Sequence, residues 1–162
     1  MRTLFFILLF LSFSAPAQTD DYKKMLSNYY DGFPTISAAE AKKKLSEENV
    51  VFLDIRELEE FQISHIENAL NVGYEKFNLD KIKHLPKSTE IIVYCSIGAR
   101  SQDIGKKLKK FGYTNVRNLY GGLFHWCNLG YPMVDSWNKE TKAIHGYSKE
   151  WGKWVTKGTV VY

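Results

Sequence analysis

One cysteine, followed by a short and largely polar loop, is the part of this sequence best suited to covalent chemistry. Cys95 precedes the loop Ser96, Ile97, Gly98, Ala99, Arg100 and Ser101. An ordinary thiol, with a pKa of about 8.5, is only slightly ionised at neutral pH, and its thiolate form is the nucleophile. Lowering that pKa by ~2 units requires ~2.7 kcal/mol, more than a helix dipole alone provides. Loop N–H groups and the nearby guanidinium of Arg100 would have to supply the rest.

The residues on either side predict a strand before the cysteine and a helix after the loop. Residues 91–94 form an uninterrupted apolar run, which is typical of a strand buried on both faces of a parallel sheet. Across 101–111, Ile104, Leu108 and Phe111 recur at helical spacing. The loop then faces a helix N-terminus, whose free N–H groups bind anions. We therefore interpret Cys95 as a nucleophilic thiolate, the alternative being a small buried core residue at a strand end.

Further strands and helices alternate along the chain. Apolar runs predict strands at 33–36, 50–54, 69–72 and 116–119, with helices at 37–46, 57–63, 74–84 and after 121, through 126. Ser37 and Glu40 have the spacing of a capping box at the start of the first of these helices. Alternating strands and helices predict βαβ units, and therefore an α/β fold with a mostly parallel sheet.

The N-terminus has the pattern of a targeting segment. Residues 1–17 combine Arg2, an apolar run and small residues at 15–17, and this pattern predicts a cleaved secretory signal peptide. The run is too short for the ~20 residues that span a bilayer, so we expect no stable membrane anchor. The mature protein would be periplasmic or secreted. The formal charge is +4 with scattered basic residues, a pattern that does not indicate a nucleic-acid partner.

Two extensions flank the predicted domain at 33–130. Residues 18–32 place Tyr22, Met25, Leu26 and Tyr29 at helical spacing, which predicts an amphipathic helix lying on the domain. Residues 131–162 are rich in aromatic side chains. We expect this C-terminal extension to pack on the domain, and each extension could instead form a surface for a partner.

Several segments together resemble a known family. The loop C-S-I-G-A-R-S at 95–101 is similar to the active-site loop of the rhodanese (thiosulfate sulfurtransferase) superfamily. The segments L-D-I-R at 53–56, E-E-F at 59–61, S-H-I-E-N-A at 64–69 and V-R-N-L-Y-G-G-L-F-H-W at 116–126 resemble its other signatures, in the same order. Ser64 and Asn68 depart from the glycines usual at those positions, which affects local turn geometry rather than the cysteine loop.

The resemblance implies a rhodanese-like fold of about five strands with helices on both faces. It also implies that Cys95 takes a sulfur atom from thiosulfate or a similar small anion as a persulfide, and passes it to cyanide, a thiol or a protein acceptor. Residues 96–101 would bind the donor, with Arg100 attracting its sulfonate end. No metal and no organic cofactor would be required.

Near this loop the resemblance places Asp54, Arg56 and Glu60. Arg56 could pair with Glu60, four residues further on in the predicted helix at 57–63, and help bind substrate at the rim of the site. The alternative is that Asp54 and Arg56 only brace the fold.

Other functions fit the sequence less well. A cysteine phosphatase needs C-x5-R around its phosphate, whereas Arg100 gives C-x4-R here. A non-catalytic partner-binding module or a persulfide carrier remains an alternative.

We expect Cys127 to be a core residue, although a disulfide with Cys95 would remove the nucleophile. The four histidines have no metal-ligand spacing.

Overall fold

A parallel sheet of five strands forms the centre of the molecule. The computed structural model describes residues 20–162, so the predicted signal peptide at 1–17 lies outside the described residues. In spatial order the strands are β1 (Thr35–Ile36), β5 (Val116–Leu119), β4 (Glu90–Tyr94), β2 (Val50–Asp54) and β3 (Leu70–Asn71). All neighbouring strands run parallel, which confirms the predicted fold class.

Helices cover both faces of this sheet. They are α1 (Asp20–Ser27), α2 (Ala38–Lys43), α3 (Leu58–Ile63), α4 (Ala99–Lys110) and α5 (Gly122–Asn128). Alternate side chains of β4 enter two apolar cores. Ile92 and Tyr94 belong to one core, and Ile91 and Val93 share the other with Cys95. Burial on both faces explains why β4 is apolar throughout.

The prediction of a helix at 74–84 is wrong. The chain instead turns at Gly73, where φ is 71°, and forms only a short 3₁₀ helix at Leu79–Lys81. Asn78 interrupts the helical pattern, because its side chain accepts a hydrogen bond from the N–H of Asp80 at 2.9 Å in an extended conformation. Ile82 is nevertheless fully buried.

The first helix after β1 is shorter than predicted but begins as expected. The predicted capping box is present: Ser37 Oγ accepts a hydrogen bond from the Glu40 N–H at 3.2 Å, and the Glu40 carboxylate accepts one from the Ser37 N–H at 3.1 Å. The pairing satisfies donors that a helix start leaves free.

The C-terminal extension packs its own small elements on the sheet domain. β6 (Met133–Val134) pairs with β7 (Glu140–Thr141), β8 (Ala143–His145) pairs with β9 (Thr159–Val161), and α6 (Lys149–Gly152) lies between β8 and β9 in the chain. Ile144 is fully buried in the main core, with Trp151 and Trp154 partly buried against it. Trp137, by contrast, is 79% exposed. Within residues 20–162, no helix has both the length and the apolar character needed to cross a bilayer.

Candidate active site

Cys95 lies directly after β4 and lines a pocket. Its residue exposure is 1%, and its Sγ accepts a hydrogen bond from the Gly98 N–H at 3.1 Å. The hydroxyl of Ser101 lies 3.6 Å from the same sulfur. A backbone N–H directed at the sulfur stabilises negative charge there. The predicted strand, loop and helix therefore do place donors on this cysteine.

The carbonyl groups of the loop turn away from the sulfur. The carbonyls of Cys95 and Ser96 accept hydrogen bonds from N–H groups at the start of α5, at 2.8 and 2.9 Å. The carbonyl of Ile97 accepts one from the Tyr30 hydroxyl at 2.8 Å. The carbonyl of Gly98 accepts one from Asn118 at 2.8 Å. With four successive carbonyls bonded outside the loop, its concave side is left to N–H groups.

Gly98 makes this curl possible. Its φ is 103°, a left-handed conformation that favours glycine. A Cβ atom at this position would lie 2.7 Å from Cζ of Tyr30. No larger residue fits here without moving the ring that holds the loop.

Asn118, in β5, joins the middle of the loop to its last residue. Its Nδ2 donates to the Gly98 carbonyl and its Oδ1 accepts from the Ser101 hydroxyl, both at 2.8 Å. The single hydroxyl hydrogen of Ser101 can go to Asn118 or to the sulfur of Cys95, but not to both. Sequence reasoning missed Asn118. The available signal was weak, because β5 reads Val-Arg-Asn-Leu and already contains the charged Arg117 beside this fully buried amide.

Arg100 is paired with Glu60 rather than free. Its two terminal nitrogens each donate to one carboxylate oxygen at 2.8 Å, and one of them also donates to Ser96 Oγ at 3.2 Å. Burial disfavours both charges, but the pairing outweighs it, raising the pKa of Arg100 and lowering that of Glu60. The predicted pairing of Arg56 with Glu60 is therefore wrong, because Arg100 occupies that carboxylate.

Arg56 and Asp54 form a separate buried pair. Both side chains are 0% exposed, with Arg56 Nη2 at 2.6 Å from Asp54 Oδ2. The same nitrogen donates to the Ser64 carbonyl at 2.6 Å. Arg56 does not line the cysteine pocket. The geometry therefore favours the bracing role for this pair over the predicted substrate contact, because the guanidinium holds the end of β2 to the end of α3.

The pocket above Cys95 has a volume of about 210 Å³. It is lined by Tyr29, Cys95, Ser96, Ile97, Ala99, Arg100, Tyr147 and Trp151. Five of these residues come from the predicted cysteine segment, and three aromatic residues come from the two extensions. The sequence had indicated the aromatic density of the C-terminal extension, but not that it reaches the cysteine.

Cys127 is not bonded to Cys95. It is a free and buried thiol whose Sγ donates to the Lys157 carbonyl at 2.7 Å. Burial raises the pKa of this thiol to about 11, which suits the expected core role. In the described part of the chain, 20–162, no group of three or more His, Cys, Asp or Glu side chains could hold a metal ion.

Comparison with protein families decides the class. The model of the rhodanese-like domain matches residues 37–129. The chain belongs to the rhodanese-like family. Tyr29, Tyr147 and Trp151 all lie outside the matched residues.

Individual relatives agree with this assignment. A sulfurtransferase of Allochromatium vinosum is 33% identical over 87 residues, covering 54% of this chain and 80% of that protein. The adenylyltransferase and sulfurtransferase UBA4 of Candida albicans is 41% identical over 85 residues, covering 48% of this chain but only 19% of that longer protein. The solution structure of a rhodanese-like domain from Anabaena sp. has a TM-score of 0.58 at 27% identity, covering 63% of this chain and 79% of that domain.

Proposed function

We propose that this protein is a sulfurtransferase that takes sulfane sulfur from thiosulfate or a similar small anion onto Cys95 and passes it to a thiophilic acceptor. One observation carries the proposal: Cys95 lines a pocket, and its Sγ accepts a hydrogen bond from the Gly98 N–H at 3.1 Å. Membership of the rhodanese-like family supports the same class of reaction.

In the first step, the Cys95 thiolate attacks the outer sulfur of the donor. A bond forms between Sγ and that sulfur, the sulfur–sulfur bond of thiosulfate breaks, and its electron pair leaves with sulfite. The product is a persulfide anion on Cys95. Loop N–H groups and the Ser101 hydroxyl would stabilise its negative charge, as an oxyanion hole stabilises an oxyanion.

In the second step, an acceptor attacks the outer sulfur of the persulfide. Cyanide becomes thiocyanate or a thiolate becomes a persulfide, and the Cys95 thiolate is restored. Neither step needs a metal or an organic cofactor. The Arg100–Glu60 pair would hold Ser96 and the start of the loop in place during both steps.

The test compares the unchanged protein with Cys95→Ser and with Cys127→Ser as a matched control. Thiocyanate formation from thiosulfate and cyanide should be lost in Cys95→Ser and kept in Cys127→Ser. Mass spectrometry after thiosulfate treatment should find one added sulfur on the peptide that contains Cys95, removed again by cyanide. Addition of sulfur to Cys95 without formation of thiocyanate would indicate a persulfide carrier with a protein acceptor. Absence of loading from every sulfane donor would overturn the proposal and favour a non-catalytic module.

We also propose that the mature protein is exported, on the pattern of residues 1–17. N-terminal sequencing of the protein recovered from its native host should begin near Gln18. A sequence that starts at Met1 would overturn this proposal without affecting the catalytic one.

A further inference from the structure

We infer that the preferred sulfur donor is a monoanion with an apolar organic group, such as an organic thiosulfonate, and that Tyr29, Tyr147 and Trp151 determine this preference. These three residues are called the aromatic collar below. The inference rests on the proposed sulfur transfer at Cys95 and deepens it by naming the class of donor.

Two members of the collar contact each other, and the third contacts Arg100 at the pocket. The rings of Tyr29 and Trp151 meet edge to face, with centroids 5.5 Å apart. The ring of Tyr147 lies against Arg100, with 5.0 Å between the guanidinium carbon and the ring centroid. The pocket that Cys95 lines therefore has aromatic side chains in its wall, and one of them lies against the loop at Arg100.

The C-terminal extension is built to hold its two collar residues in place. Gly152, next to Trp151, is closely packed, because a Cβ there would crowd the Tyr162 hydroxyl and lie 3.0 Å from Cγ1 of Val160. Tyr147 has a φ of 62°, which is uncommon for a residue with a bulky side chain, and its N–H donates to His145 Nδ1 at 3.0 Å. The chain thus adopts an unfavourable backbone conformation at the point where Tyr147 reaches the pocket.

Tyr29 is fixed from the other end of the chain. Its carbonyl accepts a hydrogen bond at 3.2 Å from the side chain of Gln102, a residue of α4. The helix that starts at the cysteine loop therefore also positions this ring. Both extensions are required to complete the wall.

The charge of the pocket favours a donor with one negative charge. Of the described residues that line it, only Arg100 carries a fixed charge, and the Glu60 carboxylate offsets that charge. A dianion such as thiosulfate would meet the Cys95 thiolate with little net positive charge to compensate. A monoanion is repelled less, and its apolar group gains contact with the collar.

The size of the pocket fits such a group. Its volume is about 210 Å³. An apolar cavity of about 150 Å³ holds benzene, so a phenyl group has room beside the reacting sulfur.

The chemical step is the same as with thiosulfate, with a different leaving group. The Cys95 thiolate attacks the terminal sulfur of the thiosulfonate and forms the sulfur–sulfur bond of the persulfide. The bond between that sulfur and the sulfonyl sulfur breaks, and its electron pair leaves with the organic sulfinate. Charge is conserved, because one thiolate and one monoanion give one persulfide anion and one sulfinate.

The test compares benzenethiosulfonate with methanethiosulfonate, which share charge and leaving-group type but differ in apolar surface. The quantity measured is the ratio of their kcat/KM values for sulfur transfer to cyanide. This ratio is divided by the ratio of the rates at which the two donors react with a free thiolate in solution, which removes their difference in intrinsic reactivity. We expect this normalised ratio to exceed one in the unchanged protein, and to fall by about tenfold in Trp151→Ala and in Tyr147→Ala.

Trp137→Ala is the matched control, since Trp137 is 79% exposed and does not line the pocket; it should leave the ratio unchanged. Tyr147 is 55% exposed, so its truncation removes little packing and remains informative if Trp151→Ala does not fold. A normalised ratio near one, or a preference that survives in folded collar variants, would overturn the inference while leaving the proposed function intact. Failure of every donor to load Cys95 would instead overturn the proposed function.

Discussion

Arg100 and Glu60 form a bidentate ion pair beside the cysteine pocket, with both nitrogen–oxygen distances at 2.8 Å. Arg100 belongs to the first turn of α4 and Glu60 to α3, so the pair joins the cysteine loop to the neighbouring βα unit. Ser96 completes the arrangement, because its hydroxyl donates to the same carboxylate at 3.2 Å. The cation next to the cysteine therefore serves mainly to hold the loop.

Replacement of Glu60 by Gln should destabilise the protein. The pair is largely buried, with side-chain exposures of 19% for Arg100 and 5% for Glu60. The amide cannot offset the charge of Arg100, so we expect a loss of about 1–3 kcal/mol in the free energy of unfolding. Urea unfolding at pH 7 measures it, with the exposed neighbour substitution Glu59→Gln as the control. Equal losses in the two variants would contradict the prediction.

The same carboxylate should contribute to acid sensitivity. Burial opposes ionisation of Glu60, but Arg100 outweighs it and holds the pKa of this group below its ordinary value of 4.5. The unfolded state therefore binds a proton here at higher pH than the folded state does. The stabilisation is present above about pH 4.5 and is lost as the pH falls through the folded pKa. Between pH 7 and pH 3, the unchanged protein should lose more free energy of unfolding than Glu60→Gln. Equal losses in the two proteins over this pH range would refute the prediction.

Asn118→Asp should slow sulfur transfer without removing any group that touches the donor. The aspartate keeps an acceptor for Ser101 but places an oxygen against the Gly98 carbonyl, which now receives a hydrogen bond at 2.8 Å. A loop displaced by about 1 Å can cost about 10²-fold in rate, and we expect a loss of that order in kcat. The exposed Asn115→Asp makes the same chemical change at the edge of β5 and should keep its activity. Unchanged kcat in folded Asn118→Asp would show that the amide does not position the loop.

The sequence predicted the cysteine loop because its signals are local. An apolar run buried on both faces fixes β4, and helical spacing fixes α4, so the position of Cys95 between them follows from neighbouring residues. The helix predicted at 74–84 failed for an equally local reason. The Asn78 side chain bonds to the backbone and competes with the helix.

The parts of the site that the sequence did not predict are those that depend on contacts between residues far apart in the chain. Asn118 reaches the loop because β5 lies next to β4 in the sheet, which periodicity alone does not specify. The partner of Glu60 is Arg100, 40 residues away, rather than the nearby Arg56. Tyr147 is positioned by packing of the C-terminal extension, whose short elements carry no clear periodic pattern.

Only Cys95 should react with alkylating reagents in the folded protein. Cys127 has a pKa of about 11, so about one thiol in a thousand is ionised at pH 8. Cys95 lines the pocket, where a small reagent can reach it. Iodoacetamide at pH 8 should add one group, found on Cys95 by peptide mass spectrometry, and should add none to Cys95→Ser. Labelling of folded Cys95→Ser at Cys127 would contradict the assignment, and labelling of both thiols in urea serves as the positive control.

Gly122→Ala should damage the site through the main chain alone. The residue has a φ of 57°, and a Cβ there would lie 2.7 Å from the carbonyl carbon of Ser96. Gly32→Ala is a matched control, because its φ is 87° but nothing lies within 4 Å of its added Cβ. Both variants should lose about 1–2 kcal/mol from backbone strain. Gly122→Ala should lose a further amount of about 1–3 kcal/mol in the free energy of unfolding from crowding. It should also transfer sulfur more slowly, because Ser96 and the loop must move. Equal stability and equal kcat/KM in the two variants would show that the close approach of α5 does not set the shape of the cysteine loop.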